Sequence, residues 1–94
     1  MDKFTKQPSD VDTVDVSFVD YLNDRADTGL TATVIAITGD DNSLTSPAQS
    51  LMDGVMKVWL SGGTDGKTYK VTVRLTTTAG RIKEHDFNVR IKEQ

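Results

Sequence analysis

The sequence has no cysteine, a single histidine, two prolines and no long apolar run. Without cysteine the chain forms neither disulfides nor thiolate metal sites, which mildly favours a reducing compartment. No apolar stretch approaches the roughly 20 residues of a membrane helix, and the opening residues lack the apolar segment of a signal peptide. We therefore expect a soluble protein that stays in the cytoplasm until it joins an assembly.

Catalytic motifs are missing as well. A Ser-His-Asp arrangement would need His85, which lies in an alternating stretch, and no serine lies in a G-x-S-x-G motif. The segment "GGTDGK" lacks the spacing of a phosphate-binding loop, and paired carboxylates for glycoside cleavage need a cleft that a small domain seldom supplies. We predict a protein that is not an enzyme and binds no cofactor.

The charge pattern argues against nucleic acid as a partner. The formal net charge is −3, and the basic residues of the C-terminal half alternate with apolar ones instead of clustering. This alternation is typical of the solvent face of strands rather than of a phosphate-binding stripe. The residues concerned are Lys67, Lys70, Arg74, Arg81, Lys83, Arg90 and Lys92.

The acidic loop 39–46 is the one segment with ligands for a hard cation. Asp40, Asp41 and Asn42 offer oxygen atoms of the kind that calcium accepts. Their spacing is not that of an EF-hand, and short acidic runs commonly serve only to solvate a loop. We predict no metal site, and leave calcium binding by this loop as an open question.

Ninety-four residues are enough for one hydrophobic core. Residues 1–10 are polar and lack periodicity, so we expect an N-terminal arm followed by a single domain over 11–94. Phe4, the lone aromatic residue of this arm, is either incidental or an anchor for a partner.

Alternation of apolar and polar residues predicts strands along the domain. The first lies within 11–22. The second, 30–38, has apolar residues of both parities, which indicates a strand that is buried on both faces or central in its sheet. We interpret 39–50 as a loop and Asp53-Gly54 as a hairpin turn. The last two strands, within 69–91, form a long hairpin.

Side-chain parity defines the core faces of the last three strands. One set is Met56, Val58 and Leu60; the next set is Tyr69, Val71, Val73 and Leu75; the last is Phe87, Val89 and Ile91. Ile82 has the wrong parity for the last set, so we expect a bulge or a twist between Ile82 and Phe87. No segment has a helical period, and six or seven short strands indicate an all-β sandwich or barrel.

Tyr69 and several glycines carry the structural details of this fold. A tyrosine that follows a turn and opens the penultimate strand resembles the tyrosine corner of immunoglobulin-like sandwiches, in which its hydroxyl contacts upstream backbone. Positive φ angles in tight turns explain Gly62, Gly63 and Gly66, and Gly80 belongs to the last turn. We predict an immunoglobulin-like antiparallel β-sandwich of about seven strands.

Trp59 is the best functional pointer in the sequence. Its parity is opposite to that of Val58 and Leu60, so its side chain is expected on the outer surface of the strand. An outward tryptophan is either covered by a loop or the N-terminal arm, or it anchors an interface. With Phe4, Trp59 is our candidate interface residue.

The stretch "VWLSGGTDGKTYKVTVRLTTTAGRIKEHDFNVRI" resembles a family of small tailed-bacteriophage virion proteins of the fibre–tail adaptor type. The resemblance rests on a V-W-L-S-G-G-T-x-G-x-x-Y-x-V motif over 58–71, a T-T-x-A-G-R turn ending at Arg81, and the final strand with Phe87, Val89, Arg90 and Ile91. The segment "KQPSDVDTVDVSFVDYL" resembles the start of that family. Residues 23–50 match it only weakly.

The resemblance implies a non-enzymatic phage or prophage structural protein with an immunoglobulin-like fold. It would mediate protein–protein contacts in the virion, as a tail or fibre adaptor or connector, after synthesis in the cytoplasm of the host bacterium. Its partners would be other virion proteins or copies of itself, without nucleic acid or membrane. The alternative is a carbohydrate- or cell-surface-binding immunoglobulin-like domain that uses Trp59 or Tyr21 as a sugar-stacking platform.

Overall fold

The computed structural model describes residues 2–39 and 41–92. They form seven strands and one short helix. The elements are β1 (Asp2–Lys6), β2 (Val11–Ser17), α1 (Val19–Asp24), β3 (Gly29–Thr38), β4 (Leu44–Met52), β5 (Val55–Gly62), β6 (Thr68–Thr77) and β7 (Ile82–Ile91).

The strands form two sheets, with the orders β1-β7-β6-β3 and β2-β5-β4. The pairs are antiparallel, except that β1 runs parallel to β7. The orders β7-β6-β3 and β2-β5-β4 correspond to strands G-F-C and B-E-D of an immunoglobulin sandwich. The prediction of an all-β sandwich is therefore confirmed, and the strand order supports the immunoglobulin-like interpretation.

The core lies between the two sheets and is made by alternate residues of their strands. The inward faces predicted for β5, β6 and β7 are confirmed, because their apolar residues are at most 1% exposed. Burial of each such side chain stabilises the fold by about 1.5–3 kcal/mol. These residues are Met56, Val58, Leu60, Tyr69, Val71, Val73, Leu75, Phe87, Val89 and Ile91.

The predicted hairpin turn at Asp53-Gly54 is confirmed. Met52 pairs with Val55 across it. The φ angles of Asp53 and Gly54 are +52° and +82°, and a type I′ turn requires positive φ at both central residues. The twist of this turn matches that of the flanking strands, so β4 and β5 leave it in register.

The expected N-terminal arm is instead largely a strand. Residues 2–6 form β1, whose backbone pairs with that of β7 in parallel from Phe87 to Ile91. The Phe4 ring packs edge-on against Phe87, with 5.5 Å between ring centroids. This correction has a physical cause: β7 supplies the hydrogen-bonding partner and Phe87 the apolar contact that a short polar strand cannot supply for itself.

The strand predicted within 11–22 ends earlier than expected. After Ser17 the chain turns into α1, where the Leu22 N–H donates to the Phe18 carbonyl at 2.9 Å and Leu22 is buried. The expectation of no helix was wrong because six residues are too few to display a helical period. The helix leads the chain from one sheet toward the other.

The loop predicted over 39–50 is also corrected, since β4 begins at Leu44. The middle of this strand, residues 45–50, is made of polar and small residues typical of a loop. Its pairing with β5 rather than its own composition therefore holds it. The register shifts between Thr45 and Ala48, around Pro47. A proline is tolerated there because β4 is an edge strand and the shift removes the need for a backbone donor.

Strand β3 lies at a sheet edge, so its prediction as a central strand was wrong. Of the bulge or twist expected between Ile82 and Phe87, the bulge is absent, because β6 and β7 pair in one continuous register. Ile82 simply faces outward and is 61% exposed. The register shifts of this sheet occur on β3 instead, at Leu30 and at Ile35.

Candidate functional site

Trp59 lies on β5, the middle strand of the three-stranded sheet. It is flanked by Thr13 of β2 and Ala48 of β4. Its neighbours Val58 and Leu60 are buried in the core, so the Trp59 side chain is on the outer surface, where it is half-buried. This is the placement that parity predicted.

The residues around Trp59 form a mixed apolar and polar surface. Val11 and Met52 are 62% and 74% exposed, and the Lys57 ammonium lies 5.8 Å from the Trp59 ring centroid. Register places these residues on the same side of the sheet. We call this outer surface the Trp59 face; it consists of Val11, Thr13, Ala48, Met52, Lys57 and Trp59.

The two candidate interface residues are not brought together. Phe4 belongs to β1 in the other sheet and is half-buried against Phe87. Since residues 2–6 pair with β7, they do not cover Trp59. Much of the Phe4 side chain therefore contributes to the core.

Tyr69 is fully buried at one end of the sandwich, and its hydroxyl joins two loops. It donates to Asp41 Oδ1 at 2.6 Å and accepts the backbone N–H of Thr64 at 3.0 Å. The contact with Thr64 is the upstream backbone contact expected of a tyrosine corner. The partner Asp41 was not predicted. We call Asp41, Ser43, Thr64 and Tyr69 the Asp41 cluster.

Hydrogen bonds hold Asp41 in its charged form. The Ser43 hydroxyl donates to Oδ1 at 2.6 Å and the Thr64 hydroxyl to Oδ2 at 2.8 Å. Bonds from Ser43 and then from Tyr69 are the main reasons that the pKa of Asp41 lies well below its ordinary value. Both carboxylate oxygens are therefore engaged inside the fold.

In the described part of loop 39–46, the hydrogen bonds of Asp41 explain why an acidic residue is present. Asp40 lies outside the described residues, and within those that are described no three His, Cys, Asp or Glu side chains converge on a metal-binding position. The Asp41 oxygens already accept hydrogen bonds from three side chains. Calcium would have to compete with these donors.

A second carboxylate with several hydrogen bonds lies among Thr28, Ala79 and Arg81. Asp27, whose side chain is 2% exposed, pairs with Arg81 Nη1 at 2.9 Å. It also accepts the N–H groups of Thr28 at 2.8 Å and Ala79 at 3.3 Å. A side-chain hydrogen bond from Thr77, followed by the bonds from Thr28, Arg81 and Ala79, lowers the pKa of Asp27 well below its ordinary value. We call Asp27, Thr28, Ala79 and Arg81 the Asp27 cluster.

The four predicted turn glycines lie at the ends of strands. Their φ angles range from +82° to +97°, a region that glycine occupies without a steric penalty. They are Gly62, Gly63, Gly66 and Gly80. His85 is half-buried on β7 opposite Val73.

No helix in the described ranges is long and apolar enough to cross a membrane. No curated protein matches the sequence. One protein-family model does, described as "Podophage GP4 fiber-tail adaptor protein gp77", over residues 6–90. This match covers most of the chain, and it agrees with the resemblance found in the sequence. The chain therefore belongs to the podophage fibre–tail adaptor family.

Proposed function

We propose that the protein is a non-enzymatic virion component that joins tail and fibre proteins through direct contacts, with the Trp59 face as one docking surface. The carrying observation is the position of Trp59, which is half-buried on the outer side of a sheet whose same face also carries the exposed Val11 and Met52. Tryptophan is enriched among the residues that dominate binding energy at protein interfaces. Membership in an adaptor family supplies the class of partner.

The two carboxylate clusters support this role by making the sandwich rigid. The Asp41 cluster ties the β3–β4 loop to the β5–β6 loop, and the Asp27 cluster ties the α1–β3 connection to the β6–β7 turn. Binding by a surface that is already ordered loses less conformational entropy. An adaptor of this kind acts as a stiff spacer of fixed geometry.

The proposal includes virion proteins and copies of this chain as partners, and excludes nucleic acid and membranes. On the four-stranded sheet, Arg74 pairs with Glu84 at 2.6 Å and Lys70 lies 3.9 Å from Asp86. Basic groups next to carboxylates give a weak attraction for phosphate. Several copies around a symmetric tail would add avidity to a modest single contact. The protein would be made in the host cytoplasm and act in the virion.

The sugar-binding alternative gains no support in the described residues. The Tyr21 ring has the Arg25 guanidinium 4.0 Å from its centroid and the Lys83 ammonium 5.6 Å away. The Asp41 carboxylate is engaged with Tyr69 and its neighbours. Asp41 is therefore not available as a polar partner for an aromatic residue in sugar binding.

Binding measurements with Trp59→Ala test the proposal. The probes are fibreless tails and purified fibre protein, and Ile82→Ala is the control, because Ile82 is an exposed apolar residue of the other sheet. We expect Trp59→Ala to weaken binding to one probe at least about 30-fold, as for an interface hot spot. Unchanged binding to both probes, with unchanged copy number in the virion, would contradict a docking role for the Trp59 face.

A further inference from the structure

An open cleft lies between α1, the start of β3 and the β4–β5 hairpin. Its volume is about 370 Å³, near the lower end of the range for small binding sites. This volume is enough for one or two side chains but not for a folded domain. The lining residues are Val19, Leu22, Asn23, Asp27, Thr28, Gly29, Leu30, Leu51, Asp53 and Gly54.

The adjoining edge of β3 is built to accept only a short strand. In the described sheet β3 pairs with β6 alone, and an exposed edge of this kind is where an extended peptide adds to a sheet. The register shifts at Leu30 and Ile35 leave a regular segment of four residues, 31–34, between them. Bulges discourage indiscriminate pairing along the whole edge, so this short segment favours one specific partner.

The same two bulges place apolar side chains in solvent. Leu30 is 61% exposed and Ile35 is 39% exposed. Leu30 also lines the cleft, so the cleft and the strand edge form one continuous surface. A bulge changes the direction in which a side chain points. Exposed apolar side chains in such positions are typical of sites that contact a partner.

The charge of the cleft selects the partner. Its lining contains two carboxylates and no lysine or arginine. Asp27 is already paired with Arg81, whereas Asp53, at the rim, is exposed and takes part in none of the described ion pairs. A basic segment complements this rim, and electrostatic complementarity favours its encounter and register.

We propose that this surface binds an extended segment of a virion protein, in which a large apolar side chain is flanked by lysine or arginine. The apolar side chain enters the cleft beside Leu30, the basic group meets Asp53, and the backbone pairs with residues 31–34. This inference rests on the proposed function and gives the adaptor its second docking surface, distinct from Trp59.

Three variants of the full chain test this surface with fibreless tails and purified fibre protein as probes. Leu30→Ser removes the apolar contact, and Asp53→Asn removes the charge while it keeps a residue type that tolerates positive φ. Ile82→Ser is the matched control, because Leu30 and Ile82 are both 61% exposed. Circular dichroism and a melting curve establish that each variant is folded.

We expect Leu30→Ser to weaken binding to one probe about tenfold or more. We expect Asp53→Asn to weaken binding to the same probe by a factor that shrinks as salt is raised, while Ile82→Ser changes it less than about twofold. Equal losses for Leu30→Ser and Ile82→Ser would overturn the proposal. So would a change in self-association without a change in partner binding, since the occupant would then be a second copy. If Leu30→Ser weakens binding and Trp59→Ala does not, the proposal of docking at the Trp59 face is rejected and that of the cleft is kept. If Trp59→Ala weakens binding and Leu30→Ser does not, only the proposal of the cleft is rejected.

Discussion

Replacing Gly62 and Gly66 separately with alanine tests how the β5–β6 loop is held. The φ angles are nearly identical, +82° and +84°, so both substitutions incur a similar left-handed backbone penalty of about 1–2 kcal/mol. Their surroundings differ. A Cβ at Gly66 meets nothing within 4 Å, whereas one at Gly62 overlaps the Ser43 carbonyl oxygen. That oxygen accepts the Gly63 N–H at 3.2 Å.

The overlap at Gly62 is with backbone, so no side-chain rotation relieves it. Displacing the Ser43 carbonyl weakens a hydrogen bond of about 0.5–1.5 kcal/mol and adds an overpacking cost of about 1–3 kcal/mol. We therefore expect Gly62→Ala to lower the free energy of unfolding by about 2.5–6.5 kcal/mol and Gly66→Ala by about 1–2 kcal/mol. Urea unfolding followed by Trp59 fluorescence measures both values. Equal losses at the two positions would refute the reasoning, because only the surroundings distinguish them.

The remaining predictions concern the two carboxylate clusters. The pKa values of Asp27 and Asp41 are lower in the folded protein than the ordinary 3.8, so their stabilisation is fully present above the unfolded pKa and is lost as pH falls from about 5. At neutral pH the Asp27→Asn variant should therefore have a lower free energy of unfolding than the unsubstituted protein, but this free energy should fall less between pH 7 and pH 3. Parallel pH profiles of the two proteins in urea unfolding would contradict this. Tyr69→Phe should lower the free energy of unfolding by about 1–2 kcal/mol, because the fully buried Tyr69 hydroxyl loses its hydrogen bonds. A matching Tyr21→Phe control, at a half-buried residue outside both clusters, should change the melting temperature little.

The sequence predicts best the strands that bury one face. Every second residue faces the core over 56–60, 69–75 and 87–91, and these inward residues are those that parity indicates. Residues 44–50 of strand β4 escaped prediction because Leu44 is the only buried residue of this strand, and pairing with β5 outweighs their loop-like composition. Strand β1 depends in the same way on β7. The residue pattern of a strand does not reveal the stability that the strand gains by pairing with a neighbouring strand.

The carboxylate clusters could not be predicted because their members are distant in sequence. Asp27 and Arg81 are 54 residues apart, and Asp41 and Tyr69 are 28 apart. The tyrosine motif indicated one half of the Asp41 cluster, since the position of Tyr69 after a turn is a local signal. The identity of its acceptor depends on how the two sheets bring their loops together, and no spacing rule contains that information.

The two proposed docking surfaces meet at the β4–β5 hairpin. Met52 belongs to the Trp59 face, and the next residue, Asp53, lies at the rim of the cleft. Positive φ at both Asp53 and Gly54 defines this turn tightly, so the hairpin holds the two surfaces in a fixed relative position. Since several copies around a symmetric tail act together, modest affinity at each surface is then enough for a stable junction.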